Sequence, residues 1–343
     1  MVMKDIIAIG SVTRDNFLDA NDLPLERYPK TPSGKAFLLP LGDKLDVGPI
    51  YQTIGGNAAN ASVTFARQGL EAACVGHVGN DENGEAIVRQ LKKEGVATGM
   101  VTVDRKLPTS FSALLLKGGE RTILNYHGSS NDFSTTDIDF RAMKGAWWYL
   151  SLAGKSEKMY AKLLDFAWEN KIAVAFNPSG YHLEHGRSEI LRSLKKVSFL
   201  SLNEEEAAIL TGIPFSRERE VFKKLDDCMS PGILAVTNGS KGATVSDGTF
   251  IYRAGTFKEK KLVDRTGAGD AWGSGFVAGL FGNGVTLSNL HRATERQIAE
   301  AVRIASANAT SVVEHVGATE GILTRKELNQ PRFRNLKVKI EKL

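Results

Sequence analysis

The sequence predicts an α/β fold: a doubly wound, mostly parallel sheet with helices on both faces and a small β-sheet lid inserted into it. Three observations predict it. Apolar runs of strand length alternate with amphipathic stretches of helix length along most of the 343 residues, the pattern of a parallel sheet covered on both sides. Polar, glycine-rich motifs follow the strand-like runs, at the carboxyl ends where such sheets bind ligands. Two segments, one rich in turn residues and one shaped like a hairpin, break the alternation. A single domain over residues 1–343 is expected, with lid elements at about 16–51 and 110–126.

In chain order, residues 5–10 read as a buried strand and 58–68 as a helix opened by glycines. Strand 72–78 and helix 83–94 follow, then strand 147–152, helix 158–170 and strands 172–176 and 199–202. The alternation closes with helix 204–211, strand 232–237 and a long helix from near Ala268. Residues 16–51 place Pro24, Pro29, Pro32, Gly34, Pro40 and Gly42 between short apolar runs. Gly118 and Gly119 separate 110–116 from 122–126, as the turn of a β-hairpin does. The tail sets Leu336, Val338 and Ile340 against Lys337, Lys339 and Lys342, which predicts a charge-guarded edge strand.

Composition limits the function classes. Hydrophobic residues at 42% and charged residues at 24% match a soluble globular chain. The longest apolar runs are strand-sized, so no membrane span or membrane partner is expected. The N-terminus lacks the charged, apolar, small order of a secretory signal. The net charge of +5 is spread along the chain with acids between, which argues against a nucleic-acid partner. Cys74 and Cys228 sit in no metal-like spacing, and none of the six histidines forms a ligand pair. A cytoplasmic protein without disulfides or a structural metal is expected.

The chemistry concentrates at Asp264-Arg265-Thr266-Gly267-Ala268-Gly269-Asp270, which opens the helix near Ala268. Glycines at a helix mouth let main-chain N–H groups approach a ligand, and the unpaired donors and macrodipole favour an anion. Taken alone, a carboxylate in the first turn also satisfies the dipole. Beside a phosphate, however, it costs repulsion unless it takes a proton from an attacking hydroxyl, the pairing that phosphoryl transfer requires. At Gly55-Gly56-Asn57-Ala58-Ala59-Asn60, two glycines allow close passage under a ligand. Asn57 and Asn60 can each donate to and accept from hydroxyls, or simply cap the helix. Asp15 follows the first strand, where an aspartate also suits a turn. Asn203 and Glu206 open the 204–211 helix, where acids also answer the dipole.

These motifs resemble the two signatures of the ribokinase-like (PfkB) carbohydrate kinase family, and its landmarks follow in order from Gly10 to Ala318. The resemblance implies ATP-dependent phosphorylation of a hydroxyl on a sugar or sugar-like small molecule. It implies Asp270 as general base and Gly267, Ala268 and Gly269 as the anion hole. Asp15, Gly55, Gly56, Asn57 and Asn60 would bind the acceptor. Asn203 and Glu206 would hold Mg²⁺ through water. Asn203, Thr237, Gly239 and Gly242 would lie along the triphosphate, with Asn308 near the adenine. Asp264 and Thr266, with residues 312–317, occupy the place where relatives bind K⁺. A homodimer through the lid is also implied.

Some positions depart from ribokinases proper, which carry lysine at Asn57, asparagine at Thr13 and a glutamate after the 149–153 strand. These departures point away from ribose. The Gly-Gly-Asn-Ala-x-Asn form is closer to ketohexokinase and fructokinase relatives, and nucleoside kinases share the scaffold. Arg14 and Arg121 are either surface charges or contacts to an acidic or phosphorylated sugar. A nicotinamide dehydrogenase would need Gly-x-Gly-x-x-Gly after the first strand, and the chain has Gly10-Ser11-Val12-Thr13-Arg14-Asp15 there. A non-catalytic sugar sensor on the same scaffold should have lost Asp270 or its glycines, and both are present.

Overall fold

A ten-stranded sheet runs through the molecule. From edge to edge its strands are Val338–Lys342, Phe250–Ala254, Ala243–Ser246, Ile233–Thr237, Phe199–Asn203, Ala173–Phe176, Gly145–Ser151, Lys4–Gly10, Ala72–Gly79 and Ala97–Asp104. Pairing is parallel from Ala97–Asp104 across to Ile233–Thr237, and antiparallel beyond it. This computed structural model describes residues 3–31, 33–229 and 231–343; Pro32, one of the expected turn residues, lies outside them.

Strand side chains alternate between two buried layers. Ile6 and Ala8 enter one core cluster, and Ile7 and Ile9 enter the other, the pattern of a sheet covered on both faces. Strand order reverses between Lys4–Gly10 and Gly145–Ser151, so a crevice opens beyond their carboxyl ends. The approach there is tight: a Cβ on Gly10 would come within 1.9 Å of the Ser151 carbonyl oxygen.

The helix that carries Asp270, Ala268–Gly282, is apolar nearly all round and buried from Ala271 to Leu280, as a helix enclosed on every side must be. Its glycines let the Glu295–Val312 helix close on it. A Cβ on Gly279 would meet Ala301 Cα at 2.7 Å, and one on Gly275 would meet Ala305 Cα at 3.1 Å.

A second, four-stranded sheet stands off the first, in the order Ile50–Gly55, Thr13–Asp19, Phe111–Lys117, Glu120–Tyr126. Only Ser11 and Val12 separate its Thr13–Asp19 strand from the main-sheet strand Lys4–Gly10. A two-stranded ribbon, Leu25–Arg27 with Lys35–Phe37, forms a separate sheet within the 16–51 segment. The interrupting segments were expected to form a small sheet, and they do. The expected hairpin is Phe111–Lys117 with Glu120–Tyr126.

One expected helix is divided. Residues 154–159 form a 3₁₀ turn before the α-helix Tyr160–Glu169. Ser156 Oγ donates to the Ala153 carbonyl at 2.7 Å and accepts from the Ala153 N–H at 3.0 Å, so a side chain takes groups that a helix would use. The tail is the expected edge strand, with Ile340 exposed. Cys74 and Cys228 are free thiols. Among the described residues no helix is long and apolar enough to cross a membrane.

Candidate active site

The helix Ala268–Gly282 begins at Gly267, which takes left-handed backbone angles (φ 75°) and leaves the N-terminus without a side-chain cap. Glycine is required there twice over: the angle penalises a Cβ, and a Cβ would sit 2.4 Å from Ala318 Cβ. Asp264, almost fully buried, holds the turn from beneath. Its Oδ1 accepts from Thr266 N (2.9 Å) and Thr266 Oγ1 (2.7 Å), and its Oδ2 accepts from Gly317 N (3.2 Å). At Gly269, by contrast, a Cβ would meet nothing within 4 Å. The helix mouth is therefore a fixed turn, with Ala268 N donating to the Arg265 carbonyl at 3.3 Å and open space beside Gly269; uncapped helix amides of this kind suit an anion.

Asp270 lies in the first turn, partly buried. Asn60 Nδ2 donates to its Oδ2 at 2.9 Å. Burial pushes the Asp270 carboxyl up to about 6, and the Asn60 hydrogen bond only partly offsets this. At neutral pH it is largely an ionised carboxylate.

Asp15 faces the same space from the small sheet. It is 7% exposed, and burial also pushes its carboxyl up to about 6. A hydrogen bond from Ser112 opposes the shift, while the negative charges of Asp270 and Asp264 add to it. Gly55 makes room for this side chain, since a Cβ there would lie 2.0 Å from Asp15 Oδ2. Gly56 (φ 86°) turns the chain against the Ser11 carbonyl, leaving 2.5 Å for a Cβ. Asn57 follows, its N–H donating to Ser11 Oγ (3.0 Å) and its Nδ2 to Ser151 Oγ (2.8 Å). Asn57 thus bridges the ends of the two central strands at the point where strand order reverses. Asn60 Oδ1 is buried and has no hydrogen-bond partner, an acceptor whose burial costs free energy unless a ligand donor meets it.

Asp15, Gly56, Asn57, Asn60, Thr266, Gly267 and Asp270 line one cavity of ≈ 290 Å³. Gly55, Ala268 and Gly269 adjoin these residues in the chain. The small sheet contributes an apolar wall, Phe111, Leu114, Ile123 and Tyr126, with Asn125 and His127 beside it. The motifs did not reveal that wall, nor Ser11, Ser112 and Ser151. Ser11 stands in the Gly10-Ser11 pair; the others carry no local signal.

A second group of expected residues lies outside this cavity's lining. Asn203 and Glu206 form a reciprocal capping box, Asn203 N to Glu206 Oε2 and Glu206 N to Asn203 Oδ1, both at 2.8 Å. Burial raises the Glu206 carboxyl, and the charge of Asp270 raises it further. Thr237 ends its strand, with Oγ1 donating to the Leu202 carbonyl at 3.4 Å. Asn238 Nδ2 donates to Glu204, tying the next turn to the same helix. Gly239 (φ 48°) and Gly242 (φ 101°) shape that turn.

Asn308, expected near the adenine, is corrected by its surroundings. It has no exposed surface, and its amide is spent on the fold: Nδ2 donates to the Ala271 carbonyl (2.9 Å) and Oδ1 accepts from Leu323 N (2.9 Å). It ties the Ala268–Gly282 helix to the chain beyond the Glu295–Val312 helix. Among the described residues no group of three or more His, Cys, Asp or Glu side chains gathers to hold a metal. The Asp264 carboxylate, expected at a K⁺ site, is engaged in bracing its own turn.

An uncapped helix mouth with a carboxylate in its first turn, and polar side chains at a sheet switch point, suit a small-molecule phosphotransferase. The family model for pfkB family carbohydrate kinases matches residues 36–325, and the chain belongs to that family; it is a carbohydrate kinase. The chain is 26% identical over 331 residues to the ribokinase of Bacillus subtilis (strain 168), covering 96% of this chain and 99% of that one. It is 26% identical over 289 residues to fructokinase-1 of Zea mays, covering 80% and 87%. The structure of Arabidopsis thaliana ribokinase complexed with ribose and ATP superposes with a TM-score of 0.76 at 20% identity, over 97% of this chain and 100% of that one.

Proposed function

We propose that the chain transfers the terminal phosphoryl group of ATP to a hydroxyl of a sugar or sugar-like acceptor, with Asp270 as general base. One observation carries this reading: Asp270, with its carboxyl pushed up to about 6, stands at an uncapped helix mouth and in the cavity that Asp15, Asn57 and Asn60 line. In the reaction the acceptor oxygen forms a bond to the γ-phosphorus as its proton passes to an Asp270 carboxylate oxygen. The bond from that phosphorus to the β,γ-bridging oxygen breaks and ADP leaves. The amides of Gly267, Ala268 and Gly269 take the charge on the phosphoryl oxygens.

Asp15 accepts hydrogen bonds from acceptor hydroxyls, and Asn60 Oδ1 gains the donor it lacks. The second group, Asn203, Thr237, Gly239 and Gly242, serves the nucleotide. The charge of Asp270 raises the Glu206 carboxyl, so a divalent cation suits this donor set; Mg²⁺ would be held through water near Asn203 and Glu206, with the phosphates. The small sheet acts as the lid over the acceptor, and Ile50 and Leu124, exposed on its face away from the cavity, offer apolar surface for a homodimer. The test is ADP release from MgATP over a panel of sugars, sugar acids and nucleosides. No release above the ATP-only rate with any acceptor would count against the reading.

A further inference from the structure

Between the strand Phe250–Ala254 and the helix Ala268–Gly282, residues 255–267 have no regular structure, and residues 258–262 are exposed. This strap joins the 239–242 turn to the anion-binding turn. Its start leans on the former: Thr256 Oγ1 donates to the Ser240 carbonyl at 3.3 Å, and a Cβ on Gly242 would come within 2.0 Å of the Ala254 carbonyl oxygen. Its end is the Asp264-to-Gly267 turn. An exposed strap of this kind needs anchors from outside itself to hold both ends at a fixed separation.

The anchors come from the C-terminal segment. Glu314 accepts from Lys260 N at 2.7 Å, and Arg332 meets the same carboxylate with two bonds, Nη1 to Oε2 at 3.0 Å and Nη2 to Oε1 at 2.6 Å. Arg332 Nη2 also reaches the Lys258 carbonyl at 3.4 Å. The Arg332 and Glu314 side chains are 24% and 8% exposed, so the pair is largely shielded. A two-point guanidinium–carboxylate contact fixes direction as well as distance. Beside it, buried Phe257 of the strap packs edge-on against Phe333, ring centroids 5.4 Å apart, and the Arg332 guanidinium lies 4.4 Å over the Phe333 ring.

We propose that Arg332 is a positioning residue for nucleotide binding: through Glu314 and the main chain of Lys258 and Lys260 it sets the spacing between the 239–242 turn and the turn at 267–269. The inference rests on the proposed function and deepens it, since both turns are given there to one polyphosphate. Groups that must hold one ligand together lose much of their effect when their spacing drifts by an ångström.

The test measures MgATP binding by calorimetry, and KM for ATP and for the acceptor, in wild type, Arg332→Met, Arg332→Lys and Glu314→Gln. Arg332→Met should weaken ATP binding and raise KM for ATP by roughly tenfold or more, with KM for the acceptor little changed. Because Glu314 loses a shielded charge partner, some loss of unfolding temperature is expected, and the split between the two KM values is the readout. Arg332→Lys, which keeps the charge without the fork, should fall between. Should Arg332→Met fail to fold, Glu314→Gln carries the test with its packing kept. ATP binding unchanged in the folded variants would overturn the proposal. So would a proportional loss of ATP and acceptor affinity together with stability, which is what a purely structural role produces. A wild-type chain that binds acceptor but no MgATP would instead remove the proposed function, and this inference with it.

Discussion

Asn60 donates its Nδ2 to Asp270 Oδ2 at 2.9 Å across 210 positions of sequence. The contact joins the two signature motifs directly and fixes one carboxylate oxygen of Asp270. It also opposes the burial that would otherwise raise this acid further. Asp270→Asn keeps the shape but removes the proton acceptor. Turnover should fall about a thousandfold, with MgATP affinity by calorimetry largely kept. Asn60→Ala should lower turnover less and move the acid limb of the pH profile upward, because the ionised form loses its donor.

The pH dependence of the wild type follows from the same shift. A base works when ionised, so activity should be lost as pH falls through about 6. Asp15 titrates in the same window, and two interacting acids release protons as a pair. The acid limb of kcat/KM should therefore be steeper than one ionisation allows, and Asp15→Asn should reduce it to a single step. A profile flat from pH 5 to pH 8, an interval of about three units around that ionisation, would contradict the assignment.

Two glycines of one turn should respond in opposite ways. Gly267→Ala places a Cβ on a positive-φ residue, 2.4 Å from Ala318 Cβ, and should cost about 1–3 kcal/mol of stability in denaturant unfolding. Gly269→Ala meets nothing within 4 Å and should leave stability unchanged or slightly raised, since alanine favours helix. On the proposed reading a methyl group there narrows the approach to the first helix amides, so turnover should fall about tenfold or more. Equal turnover in Gly269→Ala and wild type would place the anion elsewhere.

Away from the site, Asp226 and His182 bias stability in opposite directions with pH. Burial pushes the Asp226 carboxyl up to about 6, against a bond from Ser246. The folded chain thus holds a proton that the unfolded chain has lost between pH 3.8 and 6, and stability falls as pH rises through that window. Asp226→Asn should be more stable than wild type above pH 6 by up to about 3 kcal/mol, with the gain gone below pH 4. His182 is buried with both ring nitrogens unpartnered, between Tyr160 and Phe176, and burial pushes it down to about 4. Here the unfolded chain binds the extra proton, so stability is lost as pH falls from 6.5 towards 4. His182→Leu should flatten that loss in unfolding curves taken at pH 5 and pH 7.

What could be read before the fold was known was local. Gly56 and Gly267 announce positive-φ turns, and Asn203 and Glu206 announce a helix start, because the forces that fix them act within a few residues. Asn308 could not be read that way. Its partners, Thr64 and Leu323, are set by how three helical segments meet, and a polar residue on a small-residue helix looks the same whether it serves ligand or core. The cavity wall was hidden for a similar reason. Alternation in residues 111–126 shows that the hairpin has two faces, but not that Phe111 and Tyr126 line one cavity with Asp270. The short antiparallel strands Ala243–Ser246 and Phe250–Ala254 escaped notice because few residues carry their period.

Asp15 belongs to the small sheet and Asp270 to a helix lying on the large one, and the chain passes between the two bodies through short links at Ser11–Val12 and at Gly56. The separation of the two acids is consequently a readout of the angle between those bodies. On the proposed reading, the alcohol that meets both carboxylates also sets that angle, so choosing the guest and setting the tilt are a single act.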